Sequence, residues 1–441
     1  MPHRRHVARC HSHSRGLRSQ TVAGCVQPVD RPHRLGSEEV GMRGRRKLAC
    51  AGLALALVAV AGCGEASSQL PRGAGPSERD APVAGVIAGM RGFTGAFGAL
   101  TATEGENSVF SPAGIAYAFA MLRAGAAGET ARQLDEVFGF PGSGVHVAMR
   151  QFRQDVVPTD APKAPTVAIA NGLFVQQRLS LGKDFVATLS RQYGAGPQQV
   201  DFAGGTAKET IDSWVAEHTA GKIKELFGEL DPATIAVLAN AVYFKGAWAH
   251  PFSEDTTVDA PFRLADGRSV TVPTMSLDPA ELNHVAGDGW QAVELPYTGG
   301  ELAMWVLVPD EADAPPPALT AKTLAALADA RPKAVQLAMP RWDFGSTVPL
   351  LPVLRRLGLT SLADLPGIAP GAYVDDAIHR ATITADEHGT EAAAATGIAV
   401  ATSMVTPEVS IRADHPFSFA VVHTPTGAPL FAGSVADPTQ G

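Results

Sequence analysis

The sequence predicts an α+β fold, a single domain of about 359 residues running from residue 83 to residue 441. Three observations carry that prediction. Apolar residues at helical spacing (Val86, Ile87, Met90, Phe93, Phe97, Leu100) share the chain with β-rich apolar runs such as Ala233–Tyr243. No segment repeats internally. The third observation is a long loop, Thr384 to Glu408 (TADEHGTEAAAATGIAVATSMVTPE), with no charge between Glu391 and Glu408. A structureless loop of that length is uncommon in a compact domain, and a disordered linker would carry Ser, Gln, Lys and Pro. Gly389, Gly397 and the β-branched residues argue against a stable helix. In an extended chain Thr390, Ala392, Ala394, Thr396, Ile398 and Val400 would share one uncharged face. The loop reads as exposed now and able to become a strand later.

The elements follow in order. Val83–Leu100 is a surface helix. Ser111 caps a second helix, Ala113–Ala124, with Pro112 in the first turn, where its missing N–H costs nothing. Ile115, Tyr117, Phe119, Met121 and Leu122 make that helix apolar almost all round, hence buried. Gly128–Phe138 is a third helix, Thr166–Gln176 alternates as a strand, and Lys183–Tyr193 and Ile211–Thr219 are helical. Ala233–Tyr243 reads as a strand buried on both faces, continuing into Phe244–Trp248. Trp290–Val308 reads as two strands around Gly299-Gly300. A Pro-rich loop, Ala312–Pro317, precedes a helix over Leu319–Ala330; Val335–Phe344 reads as one strand, and Leu350–Gly358 is amphipathic. Residues 381–384 are a strand leading into the loop, and Pro416–Val435 is a final hairpin.

Composition is that of a globular protein, with 45% hydrophobic and 18% charged residues. The net charge of -8 hides a split, because residues 1–62 hold 11 of the 36 basic residues and 3 of the 44 acidic ones. The rest carries 25 basic against 41 acidic residues, a net -16. So acidic a body is a poor binder of nucleic acid or polyanions. Cys10, Cys25, Cys50 and Cys63 all precede the domain, which therefore holds no disulfide of its own. Met42–Lys47 is a positive n-region and Leu48–Gly62 an apolar run, too short to span a membrane and suited to a signal peptide over 42–62. It ends in Val-Ala-Gly-Cys63, which resembles the bacterial lipobox and implies a lipid on Cys63. The expectation is an exported protein, secreted or anchored at the cell surface. Residues 1–41, rich in Arg and His, read as sequence upstream of the true start rather than as a metal site, and residues 63–82 as a flexible tether.

Glu387-His-Gly-Thr-Glu-Ala-Ala-Ala-Ala-Thr396 closely resembles the reactive-loop hinge of the serpins, the serine protease inhibitors. Asn171–Phe174, Phe244–Trp248 and the carboxy-terminal residues Phe417, Phe419, Leu430, Phe431, Gly433 and Val435 extend the resemblance over nearly all of 83–441. It implies helices around a large central mixed sheet with two smaller sheets and an exposed reactive-centre loop. It further implies an irreversible suicide-substrate inhibitor of serine-type endopeptidases, not an enzyme, without cofactor or metal. The implied hinge residues are Glu387, Gly389, Thr390, Glu391, Ala392, Ala393, Ala394 and Ala395. Family spacing along the hinge puts the scissile bond between Ser403 and Met404, within one residue. No Arg, Lys or large aromatic stands nearby, so the expected target has a small primary pocket, elastase-like or subtilisin-like, with cysteine proteases still open. The sheet-opening cluster of the family falls on Ser111, Asn240 and His379, with Gly114 where a second serine is usual.

Two other readings compete. Ser180-Leu-Gly-Lys183 fits the S-x-x-K pattern of penicillin-binding proteins, yet the companion S-D-N and K-T-G motifs are absent, as are G-x-S-x-G and H-E-x-x-H. A non-inhibitory binding protein of the same fold is the other; Thr390, uncharged at the first inward position, favours the inhibitor, because a charge or proline there would bar entry into a sheet. A monomer is expected.

Overall fold

The structure is a computed structural model that describes residues 81–156, 166–390 and 406–440. The helices are α1 (Val83–Thr101), α2 (Pro112–Arg123), α3 (Gly128–Phe138), α4 (Val145–Val156), α5 (Lys183–Tyr193), α6 (Ala207–His218), α7 (Ala321–Ala326) and α8 (Leu350–Arg356). The strands are β1 (Ser108–Phe110), β2 (Thr166–Gln176), β3 (Gln198–Val200), β4 (Ala236–Ala247), β5 (Val258–Arg263), β6 (Ser269–Ala286), β7 (Trp290–Pro296), β8 (Leu302–Pro309), β9 (Arg331–Pro340), β10 (Trp342–Pro349), β11 (Asp376–Ala385), β12 (Gly389–Thr390), β13 (Val409–Arg412), β14 (Phe417–His423) and β15 (Ala428–Val435).

Two sheets organise them. The mixed sheet β10-β11-β4-β2-β3 gains a sixth strand where β12 pairs with β4. The other runs β1-β15-β14-β8-β7-β6-β9-β13, with β5 on β6. It contains the two smaller sheets expected from the sequence, fused through the 18 residues of β6. Residues 284–286 of β6 pair with β7, whereas residues 274–284 pair with β9. β4 is buried along nearly its whole length, as a strand covered on both faces must be.

α2 is buried from Pro112 to Leu122, and Ser111 caps it by accepting the Gly114 N–H at 3.0 Å. Gly114 is needed where α2 meets the sheet. A Cβ there would lie 2.7 Å from Val242 Cγ2 and 3.0 Å from Asn240 Nδ2.

Two expectations need correction. Val335–Phe344 is not one strand. β9 ends at Pro340, β10 begins at Trp342, and they belong to different sheets. Pro340 has no N–H to carry a ladder on, and Arg341 turns instead, its N–H donating to Pro273 O at 3.0 Å. The helix expected over Leu319–Ala330 is shorter: Thr320 caps α7, and Leu327–Asp329 closes it as a 3-10 turn. The sequence reading passed over α4 and β6. Pro273 and Pro279 interrupt β6, and its register shifts between Leu277 and Ala280, which breaks the period-two signal.

Candidate functional site

The site begins at the seam between β4 and β11. These strands pair in parallel from Asp376↔Val237 to Ala381↔Val242. Beyond Ala381, among the described residues, only β10 pairs with β11. The chain then turns at Asp386–His388 and lays β12 antiparallel on the end of β4, Gly389 opposite Ala247 and Thr390 opposite Gly246. The seam is thus closed below and occupied at its mouth by the start of the loop.

Six hydrogen bonds fix the turn. Asp386 N–H donates to Gly389 O at 3.0 Å, and Asp386 Oδ1 accepts from the N–H groups of His388 and Gly389 at 2.8 and 3.1 Å. Trp248 donates its N–H to His388 O at 2.9 Å and its ring N–H to Asp386 O at 2.8 Å, and Phe252 N–H donates to Glu387 O at 2.9 Å. Gly389 is required by this approach. Its φ is 155°, and a Cβ there would stand 2.0 Å from Gly246 O.

Glu387 is only 3% exposed. Burial pushes its carboxyl up, but hydrogen bonds from Arg341 and Thr257 outweigh that and hold it below the usual carboxylate range. Arg341 Nε donates at 2.8 Å, and its Nη2 contacts the same oxygen. Thr390 is fully buried, with its hydroxyl 2.7 Å from Tyr297 OH. Tyr297 is itself fully buried, which pushes its phenol far above the ordinary value. Trp248 stacks on it, ring centroids 4.6 Å apart.

A second cluster lies along the closed part of the seam. Ser111 N–H donates to His379 Nε2 at 3.0 Å, which places the ring hydrogen of His379 on Nδ1, where Asn240 Oδ1 accepts it. Asn240 Nδ2 in turn donates to Asn171 Oδ1 at 2.5 Å, and Ser111 Oγ donates to Leu430 O at 2.6 Å. His379 sits on β11 directly opposite Asn240 on β4, so one side-chain bond bridges the seam beside the ladder. Burial pushes His379 down to about 3, so it is neutral.

Sequence reasoning named Ser111, Asn240 and His379, and the fold brings them together; Glu387, Gly389 and Thr390 also meet in one place. Glu391, Ala392, Ala393, Ala394 and Ala395, the bond Ser403–Met404, and Cys63 lie outside the described residues. Ser180 and Lys183 are both exposed and belong to neither cluster. Tyr297, Arg341, Thr257 and Asn171 were missed. A lone arginine between Pro340 and Trp342 in an apolar run was a usable signal for Arg341. Nothing marks Tyr297.

A hinge resting at the mouth of a closed parallel seam, above a buried polar latch, defines a loop-and-sheet architecture that known proteins share. The family model described as Serpin (serine protease inhibitor) matches residues 95–438. The leukocyte elastase inhibitor of Bos taurus is 35% identical over 363 residues, 77% of this chain and 96% of its own. Plasminogen activator inhibitor 1 of Sus scrofa is 33% identical over 359 residues, 76% of this chain and 88% of its own. Among solved structures, uncleaved ovalbumin aligns with a TM-score of 0.70 at 26% identity, over 80% of this chain and all of that one. The thermophilic serpin tengpin in its native state aligns at 0.71 and 22% identity, over 80% and 94% of the two chains. The chain belongs to the serpin family.

Proposed function

We propose that this serpin is an irreversible suicide-substrate inhibitor of serine-type endopeptidases. The protease's nucleophile attacks the Ser403 carbonyl, the bond to Met404 breaks, and the Met404 amine leaves as the acyl-enzyme forms. The loop then enters the seam between β4 and β11 as a new strand, carrying the protease with it and distorting the acyl-enzyme before water can release it. Strand addition of this kind releases stored strain. About a dozen added residues form ladder hydrogen bonds worth roughly 0.5–1.5 kcal/mol net each. The observation that carries the reading is Thr390, already seated at the head of the seam between the end of β4 and the turn that follows β11.

The small residues Ala401, Thr402 and Ser403 suit a target with a shallow primary pocket, subtilisin-like or elastase-like. Export and a lipid on Cys63 complete the proposal, placing a monomeric inhibitor at the cell surface. The test is to mix the protein with a subtilisin-like and an elastase-like protease and to analyse the products by denaturing gel and mass spectrometry. A denaturant-stable adduct with a released fragment beginning at Met404 is expected. Cleavage without an adduct would leave a substrate or a binding protein of the same fold.

A further inference from the structure

A cavity of about 500 Å³ opens among β2, α2, α4, α6 and the segment that follows α5. This is the size range of small-molecule sites. Met121, Phe152 and Val156 give it an apolar lining, and Tyr117 and Trp214 add aromatic rings. Two polar groups in its lining keep donor capacity to spare. Arg153 is exposed, donates to Tyr193 O at 3.1 Å, hydrogen-bonds the Tyr117 side chain, and pairs with no carboxylate among the described residues. Asn171 is 8% exposed, and its Nδ2 is buried without an acceptor among the described residues. Such a group is rare and calls for an explanation.

The orientation of Asn171 follows from the latch. A backbone N–H can only donate, so the Ser111 amide fixes His379 as acceptor at Nε2 and donor at Nδ1. Asn240 must then present its amide nitrogen to Asn171 Oδ1. The group left over on Asn171 is therefore an N–H donor. A cation and a spare donor beside an apolar, aromatic wall, in a lining that also holds Gln198 and His218, ask for a ligand that is apolar at one end and an acceptor anion at the other.

We propose that this cavity binds a small amphiphilic carboxylic acid, its apolar body against Met121, Phe152 and Trp214 and its carboxylate at Arg153, with Asn171 as the second donor. The net charge of -16 on residues 63–441 works against indiscriminate uptake of anions, so binding there must come from the local site. Binding itself does not depend on the inhibitory reading. Its consequence for the loop rests on that reading, because Asn171 is the outer end of the hydrogen-bond chain that reaches His379 across the seam.

The test is calorimetric titration of the full chain with dodecanoate and with naphthylacetate. Saturable binding of one ligand per chain is expected for at least one of them. Arg153→Gln should weaken it by about tenfold or more, the scale of a lost charge-assisted contact. Gly196→Phe should abolish it. Gly196 lines the cavity, and a Cβ there meets nothing within 4 Å, so the added ring has room without backbone strain. Absence of saturable binding by both probes, or equal affinity in the parent and both variants, overturns the proposal. Because no protease is present, these outcomes are independent of whether the protein inhibits one.

Discussion

The hydroxyl of Thr390 and the phenol of Tyr297 lie 2.7 Å apart, both residues fully buried. The first inward residue of the hinge is thus already enclosed by protein, and the bond ties it to the end of β7. Tyr297→Phe would leave Thr390 with an unmatched buried hydroxyl, at a cost of about 1–3 kcal/mol. We expect a corresponding drop in unfolding free energy measured with urea. An unchanged transition would mean that the bond does not form in solution.

Thr390→Arg tests the trap itself. A guanidinium has no room or partner at a position with no solvent exposure. The variant should be cleaved at the same bond by the same protease and yield no stable adduct. Unaltered inhibition would sink the insertion mechanism.

Gly389→Ala should unseat the hinge by a single methyl group, without adding charge. Its Cβ would collide with Gly246 O, a backbone atom that cannot swing aside. Amide hydrogen exchange should rise at Gly389 and at Trp248, whose N–H donates to His388 O. Unchanged protection at Trp248 would contradict the close approach described above.

Arg341→Ala removes the partner of a carboxylate that is 3% exposed, while Arg341 itself is about half exposed. A loss of about 2 kcal/mol is expected, below that of a fully buried pair because water can reach the vacated side. Raising the pH should not restore it, whereas Arg341→Lys should restore part. If Arg341→Ala unfolds at the parent's denaturant concentration, the pair contributes nothing.

His379 gives the fold a defined acid sensitivity. Its value of about 3 lies below the 6.5 of an unfolded histidine. Between those values the unfolded chain binds a proton that the folded chain does not, so stability falls as pH drops below about 6.5. The maximum slope is about 1.36 kcal/mol per pH unit, and this contribution stops changing below the folded value. His146, His284 and His423 are depressed as well, so the measurement is a comparison with His379→Gln. That variant should lose up to one proton's worth of slope; parallel curves would remove His379 from the account.

Much of this arrangement was legible in the chain. Alternation and the absence of charge marked the loop, the pattern that the proposed insertion into a sheet requires, although residues 391–405 lie outside the described residues. Ser111 was readable as a cap because Pro112 follows it. Tyr297 and Asn171 were not readable, since their roles come from partners 93 and 69 residues away and local spacing carries no trace of such pairings. The break at Arg341 failed for a different reason. Two strands separated by one residue share a single apolar run, and period alone does not reveal that the run changes sheets.

β13 has a consequence for what happens after the loop is cut. Val409–Arg412 pairs with β9, and β14 lies between β8 and β15 in the middle of its sheet, buried along its length. A chain severed at Ser403 would therefore keep its tail, clasped by strands on both sides. In native buffer the two pieces should migrate as one particle of unaltered mass, and only denaturant would part them.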